Sequence, residues 1–292
     1  MKLSRSLKAD FSLIAITFLW GSTFTVVKSS LEQISPILFV AVRFWLATVI
    51  VLACMPRQIA AISGKTLRKG LLLAVFLLGG FVFQTLGLRS TGPSNSAFIT
   101  SLSVLLVPLL GYLFFRHRPR RQTIAGITLA TAGLYLMLAH MSGMDLRSGD
   151  ALTLICAVLF AFQILFLGRF VTGADFRHLM ILQVAGVALF STAMIPFLET
   201  PFVIWSPRLV LYFFVTAVLA TALAFYVQAR AQQYTTANRA ALIFSLEPLF
   251  AALFAYWLLG DVLTVREWIG GSLILAGILV SEIRTAPREN SE

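Results

Sequence analysis

The sequence predicts an all-α polytopic membrane protein, with ten transmembrane helices arranged as two inverted five-helix repeats. Three observations carry this prediction. Of 292 residues, 59% are apolar and only 12% are charged, where soluble domains average about 25% charged residues. The apolar residues fall into continuous runs long enough to cross a bilayer. The second half of the chain repeats the pattern of the first.

Mean hydropathy is +0.89. A soluble globule of this size needs far more polar surface, because its area grows almost as fast as its mass. The same composition excludes a disordered chain and a disulfide-stapled secreted module. Cys54 and Cys156 each sit in an apolar run, without the spacing of a metal or redox motif, and read as small buried hydrophobes. The net charge of +11 fits membrane loops that collect Lys and Arg on the cytoplasmic side. No basic stripe or RNA-binding motif is present, so no nucleic-acid partner is expected.

A helix needs about 20 apolar residues to span the hydrocarbon layer. Ten runs qualify: Phe11–Val27, Pro36–Pro56, Gly70–Leu88, Ser90–Phe115, Gln122–Met144, Ala151–Gly168, His178–Leu198, Leu209–Ala229, Ala240–Gly260 and Trp268–Ser281. The last is the shortest and is expected to begin near Thr264. Continuous rather than alternating hydrophobicity excludes a closed β-barrel. The first run lacks a small-residue cleavage site and leads directly into more spans, so it is not read as a signal peptide. With the N-terminus inside, cytoplasmic segments hold 17 of the 23 Lys and Arg residues and external ones hold five, with Arg43 inside the membrane. Both termini are therefore expected in the cytoplasm of a cell with a multi-pass inner-membrane protein.

Aligning Thr91–His140 with Thr235–Arg284 at an offset of 144, without gaps, gives twelve identities in 50 positions. They include Thr91/Thr235, Ser101/Ser245, Leu102/Leu246, Gly126/Gly270 and Gly133/Gly277. The paired glycines are seven residues apart, on one helix face, where a neighbouring backbone can approach closely. Asp10 before the first span also resembles Asp150 before the sixth. Repeats are expected over residues 10–140 and 148–284. Five spans per half force opposite membrane orientations, a common transporter plan with the site at the midplane.

Several motifs resemble those of a known family. They are Trp20-Gly21-Ser22-Thr23-Phe24, Arg43 in the second span, Gly87-Leu88 with Ser94-Asn95-Ser96-Ala97-Phe98 and Pro108, and Glu247-Pro248-Leu249-Phe250-Ala251-Ala252-Leu253 with Gly260-Asp261 and Gly270. Together they resemble the EamA family of the drug/metabolite transporter superfamily, over roughly Asp10 to Glu282. The resemblance implies ten helices, a central cavity, and export or exchange of amino acids, metabolites or drugs. One departure is the loop Arg116-His117-Arg118-Pro119-Arg120-Arg121, which is basic where the family often carries a Glu.

Arg43 is the sharpest single residue. A mid-span arginine costs at least about 2.5–3.5 kcal/mol on insertion scales and cannot shed its charge. It reads as a ligand for a substrate carboxylate or a gate, or as an anchor to backbone carbonyls or Glu247. Glu247 is the one acid deep in a span and reads as a coupling-proton carrier or as a structural partner. Pro108 and Pro248 each remove a backbone donor and are expected to break their helices. Interrupted helices in corresponding halves point to a transport site.

The remaining cavity candidates are Trp20, Ser22, Thr23 and Thr25, then Gln84, Asn95, Ser101, Gln163, Tyr226 and Gln228. Each has an alternative reading as an interhelical hydrogen bond. His117, His140 and His178 match no zinc spacing, and no Walker loop, dinucleotide fingerprint or GxSxG is present. No metal, cofactor or direct ATP drive is expected. The expected partners are a small-molecule solute and the bilayer, with the chain acting as a monomer or homodimer. The expected function is secondary transport of small solutes by alternating access, not enzymatic turnover. The alternatives are a membrane-embedded enzyme, a channel or sensor, and a nucleotide-sugar or phosphate-type antiporter of the same superfamily.

Overall fold

The computed structural model describes residues 4–56, 62–116, 118–138, 148–259 and 265–282. The expected junction of the halves, 141–147, lies outside the described residues, as do His117, His140 and the Gly260-Asp261 pair. The described residues are almost entirely helical, with one isolated bridge between Ile34 and Val203. In chain order the helices are α1 (Arg5–Ser30), α2 (Pro36–Cys54), α3 (Gly64–Gly87), α4 (Pro93–Ser101), α5 (Ser103–Phe115), α6 (Arg121–Leu138), α7 (Ser148–Phe170) and α8 (Phe176–Leu198). They continue as α9 (Pro207–Phe213), a π-helical stretch Phe214–Leu223, α10 (Ala224–Ala231), α11 (Ala237–Phe244), α12 (Glu247–Leu259) and α13 (Val265–Glu282).

Short polar side chains and prolines set the helix starts. The hydroxyls of Ser4, Ser63, Ser206 and Thr236 accept from backbone N–H groups in the first turns of α1, α3, α9 and α11. Pro36, Pro93 and Pro207 occupy first-turn positions where no donor is needed. At the start of α2, the Glu199 carboxylate accepts from the backbone N–H of Ile37 and Leu38 and from the Ser35 hydroxyl.

Among the described residues, eight stretches are long and apolar enough to cross a membrane, and each buries only 39–61% of its apolar window inside the protein. The rest of the apolar surface faces outward, as at Leu109, Val210 and Leu279. Such an exterior suits lipid rather than water. Cys54 departs from the sequence expectation: it ends α2 as an exposed residue, while Cys156 is buried. The reason is position, since Cys54 lies in the last turn of its helix.

The packing of the two halves is reciprocal. Helix α1 packs on α10, α11 and α12, while α7 packs on α3, α4 and α5. The pairs α2 with α8 and α6 with α13 close the bundle. Near its start, α1 meets α11, where Asp10 pairs with Arg239 and accepts from the Thr235 hydroxyl at 3.3 Å. At its other end, Lys28 donates to the carbonyls of Leu88, Arg89 and Thr91, and Thr91 donates to Asp150 at the start of α7. Helices α1 and α7 therefore begin at opposite ends of the bundle.

The glycines singled out in the sequence make the α6–α13 contact. A Cβ on Gly126 would collide with the carbonyl oxygen of Gly277, and one on Gly133 with that of Gly270. Gly126 opposite Gly277 and Gly133 opposite Gly270 is an antiparallel crossing with the two backbones in contact. Gly277→Ala is expected to destabilise the protein by about 1–3 kcal/mol through overpacking. Gly64→Ala, where an added Cβ meets nothing within 4 Å, is expected to leave stability unchanged. Thermal unfolding of the two variants in detergent checks this.

Candidate functional site

Of the three buried apolar clusters among the described residues, two are the larger. One joins α1, α5, α6, α11 and α13, and the other joins α2, α3, α7 and α8. Trp20 packs against both, and the central cavity lies beside it. The cavity spans about 570 Å³ of space between atoms and is partly open to the outside. Its walls are largely aromatic, with Phe81, Phe160, Phe225 and Phe244 joining Trp20. Its polar groups are Thr23, Arg43, Gln84, Thr100, Ser103, Gln163, Gln228 and Glu247. An apolar pocket with a few placed polar groups is the usual form of a small-ligand site.

Arg43 is 2% exposed. Its Nε donates to the Thr221 hydroxyl at 2.7 Å, and Nη2 donates to the Ala220 carbonyl at 3.4 Å. Its guanidinium lies 4.6 Å from the centre of the Phe81 ring, a favourable cation–π distance. It forms no ion pair with Glu247, although both line the same cavity.

The acceptors exist because the helix around them is π-helical. In an α-helix the Ala220 carbonyl would accept from the Ala224 N–H, but that donor turns to Leu219 and Thr221 instead. The freed Ala220 oxygen takes Trp20 Nε1 at 2.9 Å as well as Arg43. The Thr221 hydroxyl donates to the Thr216 carbonyl five residues back, leaving its oxygen to accept from Arg43.

Glu247 is the first residue of α12, where the helix dipole favours negative charge. Among the described residues no hydrogen-bond donor or cation pairs with its carboxylate. Gly21 lets α1 approach this point closely, since a Cβ there would come within 2.7 Å of the Phe250 Cβ.

A chain of buried amides extends from the cavity. Gln228 donates to Gln163 at 3.2 Å, and Gln163 donates to Gln183 at 3.0 Å. Gln84 donates to Thr100 at 3.4 Å.

Trp20, Thr23, Arg43, Gln84, Gln163, Gln228 and Glu247 thus meet around one cavity. Ser22, Thr25, Asn95, Ser101 and Tyr226 do not line it. The Ser22 and Ser101 hydroxyls turn back onto carbonyls of their own helices, at Leu19 and Ala97. Tyr226 packs on Phe176 and accepts from Arg230.

The proline expectation needs correcting for Pro108, whereas Pro248 meets it: α11 ends at Phe244, whose carbonyl Pro248 leaves without its i+4 donor. Helix α5 runs through Pro108, and the interruption falls at Leu102, between α4 and α5. The second interruption falls at Ser245-Leu246, and Pro248 sits inside the first turn of α12. There a missing N–H costs little. Leu102 and Leu246 correspond in the repeat, and each donates to the carbonyl three residues before it, at 3.1 Å. Sequence reasoning also missed Ala220, Thr221, Thr100, Ser103 and Gln183. Thr221 lies in a uniformly apolar run with no local marker of a π-helix.

A bundle of lipid-facing helices enclosing a small, charged cavity is the build of a membrane transporter. The chain belongs to the EamA-like transporter family, which matches residues 7–139 and again 147–282, within the drug/metabolite transporter superfamily. It is 32% identical over 280 residues to an uncharacterized transporter of Archaeoglobus fulgidus, covering 96% of this chain and 87% of that one. It is 26% identical to a probable amino-acid metabolite efflux pump of Salmonella typhimurium, covering 94% of this chain and 95% of that one. A crystal structure with 18% identity superposes with a TM-score of 0.77, covering 96% of this chain and 97% of that one. The likeness to that structure shows the shared fold.

Arg43 and Glu247 are expected to differ as structural elements. Arg43→Gln loses the Thr221 bond and the Phe81 contact, and is expected to lower stability by about 1.5–3 kcal/mol. Glu247→Gln removes a buried carboxylate with no partner and is expected to leave the melting temperature unchanged or raise it. Thermal unfolding of the ligand-free variants decides both.

Proposed function

We propose that the protein is a secondary transporter with ten spans in two inverted repeats, over residues 10–140 and 148–284, with both termini in the cytoplasm. It moves a small organic solute outward by alternating access, without ATP. The observation that carries this reading is the central cavity, where a guanidinium and a carboxylate face the same space without pairing. A carrier needs such groups ready for its cargo, since an internal ion pair would compete with the substrate.

The solute presents an anionic group to Arg43 and an apolar or aromatic body to Phe81, Phe160, Phe225 and Phe244. Glu247 and the Gln228 amide receive a cationic or donor group. Amino acids and related metabolites have this chemistry, in keeping with the name of the Salmonella typhimurium relative, a probable amino-acid metabolite efflux pump. The inverted arrangement is supported by α1 and α7 starting at opposite ends and by the antiparallel glycine contact of α6 with α13. The interrupted helices at Leu102 and Leu246 supply the bending points near the site.

The test is a thermal-shift screen of amino acids and metabolites on the purified protein, followed by counterflow in proteoliposomes. A cargo is expected to stabilise the wild type and to exchange across the membrane with saturable kinetics. Arg43→Ala is expected to weaken binding by roughly tenfold or more, through loss of a charge-assisted contact. No stabilising solute and no flux under any ion gradient would overturn the reading.

A further inference from the structure

We propose that Gln183 is the counterpart of Arg43 and takes its place on the cavity wall when the protein opens to the other side, so that the guanidinium faces the cavity in one conformer only. This rests on the alternating-access reading above and adds to it a residue that lies outside the present cavity.

The correspondence is written in the cavity wall. Helices α1 and α7 match at an offset of 140, set by Asp10 and Asp150. At that offset Trp20, Thr23 and Phe24 match Phe160, Gln163 and Ile164, and all six line the cavity. Helix α8 has 23 residues against 19 in α2, and beyond them the offset is 144. There Phe81 and Gln84 match Phe225 and Gln228, again on the wall. Thr100 matches Phe244, and Ser103 matches Glu247. Among the described wall residues, Arg43 and Leu77 alone have their counterparts elsewhere. Helices α2 and α8 start 140 residues apart, which pairs Arg43 with Gln183. Leu77 pairs with Thr221 at 144.

The two halves hold these residues in different conformations. Gly70 and Gly186 bring α3 and α8 together, since an added Cβ would collide with Leu182 at the first and with Ala74 at the second. The matching pairs are Phe214 with Val42 and Leu46 with Val218. These line an open groove between α2 and the π-helical stretch. Residues 70–79, which match that stretch, are regular α-helix within α3. One seam is closed and regular, and its counterpart is parted and unwound.

The axis that relates inverted halves exchanges the two faces of the membrane. When each half takes up the other's conformation, the opening moves to the other face and the paired residues stay on the wall. Arg43 and Leu77 then yield their places to Gln183 and Thr221. Gln183 suits this exchange. It is 0% exposed, and its Nε2 is buried with no hydrogen-bond partner among the described residues. That unpaired donor is costly where it now lies and gains partners on the wall of a cavity. Arg43 favours the present conformer, because it bonds Thr221 across the parted seam and Leu77 offers Gln183 no such acceptor. An anionic cargo is held by the guanidinium in one conformer and released from it in the other.

The experiment places single reporters, Leu77→Cys, Ser103→Cys, Gln183→Cys or Thr221→Cys, in the full chain with Cys54 and Cys156 replaced by alanine. A membrane-impermeant maleimide is applied from either face of oriented proteoliposomes, without cargo. Ser103→Cys is expected to react from both faces, since its position stays on the wall throughout. Leu77→Cys is expected to react roughly fivefold or more faster from one face, and Gln183→Cys by a similar factor from the other. Arg43→Gln is expected to raise Gln183→Cys labelling roughly tenfold and to lower that of Leu77→Cys, as loss of a charge-assisted bond made in one conformer implies. Gel filtration reports folding, and should Gln183→Cys fail to fold, Thr221→Cys carries the test with the same expected face.

A folded Gln183→Cys that stays unreactive, or that reacts from the same face as Leu77→Cys, overturns the inference. If Ser103→Cys is still reached from both faces, alternating access survives that failure. Ser103→Cys reached from one face alone overturns alternating access, and the role of Gln183 with it.

Discussion

The structure turns on a single constraint, a guanidinium that stays charged in the middle of a membrane protein. Arg43 cannot lose its proton, so the fold around it must supply acceptors. It does so by unwinding a neighbouring helix by one hydrogen-bond step. The π-helical stretch Phe214–Leu223 frees the Ala220 carbonyl and turns the Thr221 hydroxyl towards Arg43. The same carbonyl holds the Trp20 indole. One local irregularity therefore fixes residues from α1 and α2 against the second half of the chain. Trp20 and Arg43 are positioned by backbone geometry rather than by an opposing charge, and Glu247 is left unpaired.

How much of this was readable depends on whether a residue type or a backbone geometry carries the signal. Apolar runs located the helices, because the lipid-facing side needs no polar residues. The glycines at 126, 133, 270 and 277 announced a close helix crossing, and the α6–α13 contact uses them. Arg43 and Glu247 stood out because charge is rare inside a span, and both face the cavity. Thr221 carried no such mark. Threonine in an apolar run satisfies its hydroxyl on its own helix in many places, as Thr17, Thr48 and Thr216 do here. Only the change from an i−4 to an i−5 acceptor distinguishes Thr221, and no composition rule reports that. Pro108 misdirected the reading for a related reason. A proline removes one donor, but the helices are interrupted where the ladder changes register, at Leu102 and Leu246. Pro108 is carried inside a continuous helix, whereas Pro248 lacks the N–H that would reach the Phe244 carbonyl, and α11 ends there.

The internal repeat sets the energetics of any conformational change. Two identical halves in opposite orientations would give two end-open conformers of equal free energy. Such a carrier would spend equal time open to each side. A difference of about 1.4 kcal/mol between them already shifts the ratio tenfold, which a single part-buried ion pair can supply. Any divergence between the repeats that touches the two conformers unequally therefore sets this ratio. At the glycine crossing, where both halves must keep the same close approach, the residues remain identical. The scaffold has to stay symmetric for both conformers to exist, and other contacts have to differ for one of them to be preferred.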